Sequence, residues 1–573
     1  MSLTSVLQIA NSSLATSQIG LQVTSQNLAN AATPGYTRQM ALLHAIRGNT
    51  TDPFMIGSGV GINDVRRQID TALQSRLWNA NSQEFGQAQQ LNVFNQLEAI
   101  LNEGTEYDLS SELSTFFNVW SEATTLLDSS STIVNQGQAM SVFIQNMRSD
   151  LVDQRQQVEN QIDSQTTQAN ALFSEIAEIN ATISSSELGQ AQAGSLRDRR
   201  DQIVTELAQL MEVTAIETNQ GGYDIFVGST PIVQGNLSRG IQIDRQTVGD
   251  TVSVTVNTAD NNDSLTVTTG SIGGLLNSRD GAIDQTIEKL DTIASNLIFE
   301  VNKLHSTGIN EDWLTTTMGS LQITSSDLTR PLNDPLNNTL SELPFAPENG
   351  GFYVNIRNDN DTSDRIWVPV DLDGIDTLGT ASVADDTSAE DIRAAIDAIS
   401  GLNATFDPSG RMEITADAGF SFSFSEDSSG ALATLGINTF FEGSDATDIA
   451  VRSDVEVMLG RLSEDGSSFS ANENANLMGA MGDQSIAALG GHSISKFWGI
   501  QTQDVAVQSN SARVQADSAF LVRQSLDSQR AAVSGVSIDE ESINLMTFQR
   551  QYQGAAQVIT AAQEMFDTLL SLV

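Results

Sequence analysis

The stretch SQNLANAATPGYTRQ, Ser25–Gln39, closes a run of thirty-seven residues without a charge; Arg38 is the first charged side chain in the chain. Pro34 pushes Thr33 toward an extended conformation, and Pro34-Gly35 suits a tight turn. Asn30 tolerates the left-handed conformation that ends many helices, so a helix is expected to stop there. Upstream, Leu7, Leu14, Leu21 and Leu28 recur every seven residues, with Ala10, Ser17, Thr24 and Ala31 halfway between them. This alternating 3-4 spacing of large and small residues is the pattern of a coiled-coil seam. The rest of that helix surface is amide and hydroxyl, which suits burial against other polar surfaces better than it suits solvent.

The other end of the chain is patterned in the same way. Leu545, Phe548, Tyr552, Ala555, Ile559, Ala562, Phe566, Leu569 and Val573 keep the 3-4 alternation over four heptads, with Met546, Val558, Met565 and Leu572 beside them. Asp539, Glu540 and Glu541 precede the run, where acidic side chains favour a helix N-terminus. Such ends could each dock on their own domain as parts of an ordinary bundle. Alternatively they pair with each other, and the apolar and uncharged faces left over become subunit contacts.

The bulk of the chain is unlike its ends. It carries 72 Asp plus Glu against 27 Lys plus Arg, a formal charge of −45, and only Lys289, Lys303 and Lys496 as lysines. A chain so acidic repels phosphate backbones and anionic lipid, so no nucleic-acid partner and no membrane partner is expected. Cysteine is absent, which excludes disulfides, thiolate nucleophiles and Cys-ligated metal. The N-terminus has neither the positive region nor the continuous apolar stretch of a cleaved secretory signal. It is no membrane span either, since 16 of its first 30 residues are Ser, Thr, Asn or Gln.

Between the ends, helical pattern runs from about Val65 to Met211, including a long near-coiled-coil piece around Ile144 to Ile183 and a second helix near Leu196 to Leu210. From Val213 to Thr269 the period changes to two, as in GGYDIFVGSTPIV and TVSVTVN, which reads as a small β domain. Helix returns at about Ile272 to Leu304. Residues 308–470 read as β-rich with one helix near Ala389 to Ile399; they hold 29 acids against 7 arginines and no lysine. Helix resumes near Ile494. The expected fold class is therefore α+β and multidomain: a terminal α-helical coiled coil, a helical-bundle inner domain, and β-rich outer domains inserted in the middle of the chain. The boundaries are 1–50 with 532–573 for the terminal coiled coil, and 51–212 with 271–308 and 471–531 for the helical inner domain. Residues 213–270 form the small β domain and 309–470 the acidic outer one.

No catalytic constellation emerges. Gly57-Ser58-Gly59-Val60-Gly61 lacks phosphate-loop spacing and reads as a turn into a short strand. His44, His305 and His492 are scattered and are expected to be surface or capping residues rather than metal ligands. RNDNDTSD at Arg357–Asp364 and VDLDGID at Val370–Asp376 lack EF-hand offsets and read as acidic turns between strands. There is neither a G-x-S-x-G elbow nor a Walker lysine. No catalytic residue, metal ligand or cofactor is expected.

Taken together, the quoted motifs resemble a known family. NLANAATPGYTRQ is similar to the N-terminal signature of the bacterial flagellar axial proteins (rod, hook and hook-associated), roughly N-x-x-N-x-x-T-P-G-Y, matched here by Asn27, Asn30, Thr33, Pro34, Gly35 and Tyr36. SGVSIDEESINLMTFQRQYQGAAQVITAAQEMFDTLLSLV, Ser534–Val573, resembles the C-terminal signature of the same family. GSGVGINDVRRQID and GSIGGLLNSRDGAIDQTIEKLDTIASNLIFEVNKLHSTG resemble inner segments of hook-associated members, whereas residues 309 to about 470 match nothing. The resemblance implies a structural, non-enzymatic protein of the flagellum, exported without a cleaved signal by type III export to the junction between hook and filament, and required there for filament assembly and motility. It implies self-association in a helical ring, contacts with the hook protein and with hook-associated protein 3 as a further junction protein, and an export chaperone on the C-terminal helix. The helix seams, Leu7, Leu14, Leu21 and Leu28 with Leu545, Phe548, Tyr552, Ile559, Phe566, Leu569 and Val573, are then the expected assembly interface. Other readings are another axial protein (hook-associated protein 3 itself, or a hook or rod subunit), or a secreted adhesin or enzyme acting through its outer β domain.

Overall fold

The computed structural model describes residues 3–47, 57–104, 107–125, 130–189, 192–248, 251–360, 362–375, 379–464 and 466–571. In chain order the elements begin with α1 (Leu3–Ala29), β1 (Gln39–Ala45), β2 (Val60–Arg67), α2 (Thr71–Leu101), α3 (Leu109–Ala123), α4 (Ser130–Ser186) and α5 (Gly194–Leu210). Next, β3 (Thr214–Glu217), β4 (Tyr223–Val227), β5 (Thr230–Gln234) and β6 (Leu237–Ser238) form a four-stranded antiparallel sheet in that order. A second sheet takes β7 (Ile241–Val248), β8 (Thr251–Thr258) and β9 (Ser264–Leu265). α6 (Gly270–Ser278) passes through a π-helical turn at Arg279–Ile283 into α7 (Asp284–Ser306), so the one helix expected here is two joined by a bulge.

Then come β10 (Thr316–Met318), the single turn α8 (Asn338–Ser341), β11 (Gly350–Asn358), β12 (Ser363–Val370), α9 (Ala389–Asp397), β13 (Leu402–Phe406), β14 (Met412–Ala416) and β15 (Phe420–Ser425). These strands make two three-stranded sheets, β12-β11-β15 and β10-β14-β13. A short α10 (Ala431–Thr434) and two small hairpins follow, β16 (Phe441–Glu442) with β17 (Ala450–Val451) and β18 (Arg461–Leu462) with β19 (Phe469–Ser470). The chain returns through α11 (Glu473–Met481), α12 (Ile494–Ser534) and α13 (Ile538–Ser571). No helix among the described residues is long and apolar enough to cross a membrane.

Contacts divide the chain into two compact units, one of Met1–Phe94, Gln157–Asp280 and Ser509–Val573, the other of Asn95–Gln156 and Gly281–Gln508. The first unit contains both chain ends and the two small sheets β3–β6 and β7–β9. Its packing depends on close backbone approach: a Cβ at Gly274 of α6 would lie 2.3 Å from the carbonyl oxygen of Gly86 in α2, so only glycine fits there.

The second unit has two apolar centres. One lies around the paired sheets, with Phe352, Val354, Phe422 and Phe424 from the strands and Ile392 and Ile396 from α9 fully or almost fully buried. The helix begins where it does because Ser388 and Asp391 form a reciprocal capping box. The other centre is aromatic: the Phe440 ring centroid lies 5.6 Å from that of Trp120 and 4.8 Å from that of Phe441. Burying each such ring contributes about 2–3 kcal/mol. His305 sits in this cluster, 1% exposed, which corrects the expectation of a surface or capping histidine. Its ring Nδ1 lies 2.8 Å from Asn438 O, and its Nε2 accepts the Met458 backbone N–H at 3.2 Å. The period-based reading of α7 counts its apolar positions but cannot say that a polar ring among them will find two backbone partners more than a hundred residues away.

Candidate functional site: the meeting point of the chain ends

α1 and α13 run antiparallel along each other: Asn27 meets Glu541 at one point, and Gly20 meets Phe548 further along. The buried line of α1 is Ala10, Thr16, Ser17, Gly20, Thr24 and Asn27, while Leu7, Leu14, Leu21 and Leu28 flank it half-buried. The sequence pattern put leucines and small residues into one seam; packing separates them. The small residues take the centre because the opposite helix brings a ring there. A Cβ at Gly20 would lie 2.6 Å from the Phe548 ring. On α13, Glu541, Ala555 and Ala562 are buried, and Leu545, Phe548, Tyr552 and Ile559 are half-buried. Counting back from the Gly20–Phe548 contact puts Leu3 opposite Met565, so Phe566 and Leu569 reach past the described part of α1. They are 48% and 53% exposed. Val573 lies outside the described residues.

The turn after α1 forms at TPGY. The Tyr36 N–H bonds Thr33 O at 3.3 Å, with Pro34 second and Gly35 third at φ +79°, the requirements of a type II turn. Gly35 therefore takes the left-handed step that Asn30 was expected to take. Asn30 closes the helix differently, donating its backbone N–H and its side-chain amide to Gln26 O at 3.1 and 2.9 Å. Thr33 and Pro34 are exposed; Asn30, Gly35 and Tyr36 are half-buried.

The turn brings the chain back so that one amide is saturated. Asn27, 1% exposed, donates through Nδ2 to Gln39 O at 2.8 Å and to Glu541 Oε2 at 3.1 Å. Its Oδ1 accepts from the Tyr36 hydroxyl at 2.9 Å and the Gln39 N–H at 3.0 Å. Two donors and two acceptors are all that an asparagine side chain offers. Burial, with Asp198 and Glu541 nearby, pushes the Tyr36 hydroxyl up to about 12, so it stays protonated and keeps donating.

Glu541, 2% exposed, is held from the other side by Arg38, whose Nε and second guanidinium nitrogen reach its Oε1 at 2.9 and 2.8 Å. Arg38 also pairs with exposed Glu540 at 3.0 Å, and its backbone N–H bonds Ser534 O at 3.0 Å, at the end of α12. The first charge in the sequence is thus committed to the acidic start of α13. Behind it, Arg67 of β2 bonds Asp198 and Asp201 of α5 at 2.8 and 2.7 Å, and Asp198 accepts the Thr37 N–H at 3.4 Å. Burial pushes the Asp198 carboxyl up even though Arg67 opposes the shift. Arg200, fully buried, lies 3.3 Å over the Tyr223 ring and ties α5 to the β3–β6 sheet. Sequence reading singled out neither Glu541 as a site residue nor this arginine cluster. Its available signal was LRDRRD, Leu196–Asp201: three of only 27 basic residues within four positions.

Every charged group at this meeting point is matched by an opposite charge or a hydrogen bond, an arrangement that fixes a join between distant segments. Comparison with known sequences supplies the context. A profile described as "Flagellar hook-associated protein FlgK helical domain" matches residues 94–318, and one described as "Flagellar basal body rod FlgEFG protein C-terminal" matches residues 528–572. Flagellar hook-associated protein 1 of Escherichia coli (strain K12) is 24% identical over 592 residues, covering 100% of both chains. The chain is thus similar, along its whole length, to a flagellar hook-associated protein. Flagellar hook-associated protein 1 of Salmonella typhimurium is 25% identical over the same span, again covering 100% of both chains. Among solved structures, the flagellar hook junction protein FlgK of Burkholderia pseudomallei superposes with a TM-score of 0.48 at 14% identity, over 80% of this chain and 100% of that one. In this chain, the residues that join the N-terminal turn to the C-terminal helix are Asn27, Tyr36 and Arg38 on one side and Glu541 on the other.

Proposed function

We propose that the chain is a structural subunit of the bacterial flagellum that forms the layer between hook and filament, in the role of hook-associated protein 1. The observation that carries this reading is the end-to-end alignment with the E. coli protein of that name, which spans the whole of both chains. The antiparallel pair of chain ends, joined at Asn27–Glu541, is the natural assembly element. α13 still exposes Met546, Val558, Phe566 and Leu569 after pairing with α1, an apolar flank available to neighbouring copies, to the hook protein and to the next junction protein. Before assembly the same flank requires a cover, which is the role assigned to an export chaperone. Ordering a terminal helix costs about 1–2 kcal/mol per residue, and burial in the assembly offsets that cost. The acidic middle of the chain meets water.

The test is deletion of the gene, with the cells inspected by electron microscopy. Complete hooks without filaments are expected, with filament subunits shed into the medium. The full-length gene restores filaments, whereas a gene lacking residues 540–573 does not, although its product keeps the second unit folded. Normal filaments in the deletion strain, or restoration by the truncated gene, would contradict the proposal.

A further inference from the structure

We propose that the loop after β12 and the loop before α9 together hold a divalent cation of the calcium class. One carboxylate oxygen from each of Asp371, Asp373 and Asp386 lies within 4.8 Å of the others. Asp371 and Asp373 are exposed, but Asp386 is 4% exposed. Its Oδ2 accepts the Asn333 side-chain amide at 2.7 Å and the Gly374 N–H at 3.2 Å. Its Oδ1 is buried and has no partner, and the same is true of the Asn333 Oδ1 beside it. A buried carboxylate ordinarily has a cation or a full set of donors. The arginines near in sequence are committed elsewhere: Arg330 to Asp327 and Asp334, Arg365 to Glu426, and Arg393 to Glu390 and Asp397.

The backbone prevents the three acids from separating. Thr387 N–H bonds Asp371 O at 2.8 Å, and Asp371 N–H bonds Thr387 Oγ1 at 2.8 Å, pinning the two loops together. Oxygens bound to one calcium, each about 2.4 Å from the ion, lie no more than about twice that distance apart, and the three carboxylate oxygens meet this limit. The donors are all oxygen, which selects a hard cation over zinc or copper. Magnesium needs shorter bonds in a stricter octahedron and gives up its water reluctantly, so carboxylates carried on two loops favour calcium. The spacing within VDLDGID does not reveal this grouping, because the third carboxylate comes from a different loop.

The experiment titrates CaCl2 into the full chain by isothermal calorimetry and follows thermal unfolding with and without it. The comparison is a variant carrying Asp371→Asn and Asp373→Asn, which removes only two of 72 acidic groups and so preserves any general screening by salt. The wild-type chain is expected to take up one calcium with an affinity of about 10⁻⁴–10⁻³ M and to unfold at a higher temperature when it is bound. The variant should bind at least about tenfold more weakly and show no thermal shift. Asp373→Asn alone serves if the double variant fails to fold. No saturable heat up to about 10 mM CaCl2, equal affinity in wild type and variant, or equal binding of MgCl2 would overturn the proposal.

Discussion

Asn27→Asp should destabilise the unit that holds both chain ends by about 3–5 kcal/mol near pH 8, the range found when a buried charge is left uncompensated. The substitution is nearly isosteric, so the loss is electrostatic. It replaces the amide that donates to Glu541 Oε2 and Gln39 O with a carboxylate that can donate to neither. Two carboxylates then face each other across about the same distance, on side chains with almost no exposure. The proton balance gives the sign of the pH dependence. The new carboxyl is held above its unfolded value, so the folded chain binds the extra proton and the deficit shrinks as pH falls. Asn27→Ala, which loses the bonds without adding charge, should cost about 2 kcal/mol at any pH between about 5 and 8. Chemical unfolding of the three proteins at both pH values checks this. An Asn27→Asp chain as stable as wild type at the higher pH, or a deficit unchanged by acid, would sink the argument.

The second large effect is acid lability of the other unit through His305. Burial, with a smaller contribution from Arg452, pushes the imidazole down to about 4, although the Asn438 carbonyl pulls the other way. The neutral ring with its proton on Nδ1 satisfies both the Asn438 carbonyl and the Met458 N–H; a second proton on Nε2 would oppose that N–H. In the unfolded chain the ring titrates near 6.5. The stability it contributes is therefore complete above that value and is lost as pH falls from about 6.5 to about 4, by about 3 kcal/mol. Many carboxylates also titrate in so acidic a chain, so the diagnostic is a comparison. His305→Gln should be less stable at neutral pH but should lose less between pH values of about 6.5 and 4.5. Parallel pH profiles for the two proteins would contradict the assignment.

What could be read from the sequence was whatever depends on local chemistry. Pro34-Gly35 specifies its turn because proline fixes one torsion and only glycine enters the next without strain. The period of two at residues 213–269 specifies strands, and the heptads at either end specify helices. What could not be read depends on which distant residue arrives opposite. Asn27 and Glu541 are 514 residues apart, and one amide among the many polar residues of an uncharged helix does not announce a partner at that separation. The leucine heptad of α1 is regular, yet the centre of the helix pair is small because Phe548 lies against Gly20. Phe566 and Leu569 fit the repeat as well as Leu545 does, but register carries them beyond the described part of α1. The third carboxylate of the proposed cation site was hidden in the same way. Periodicity identifies a face; only the fold identifies what covers it.

The antiparallel pairing of the chain ends is directly measurable, because the chain has no cysteine of its own. A Cβ at Gly20 would lie 2.8 Å from Phe548 Cγ, which brings the two Cβ atoms within disulfide reach. A chain carrying Gly20→Cys and Phe548→Cys should form an intramolecular disulfide on mild oxidation in intact flagella, seen as a mobility shift on a non-reducing gel. A control pairing Gly20→Cys with Gly554→Cys should not. Absence of the shift in the first chain, or an equal shift in both, would contradict the pairing.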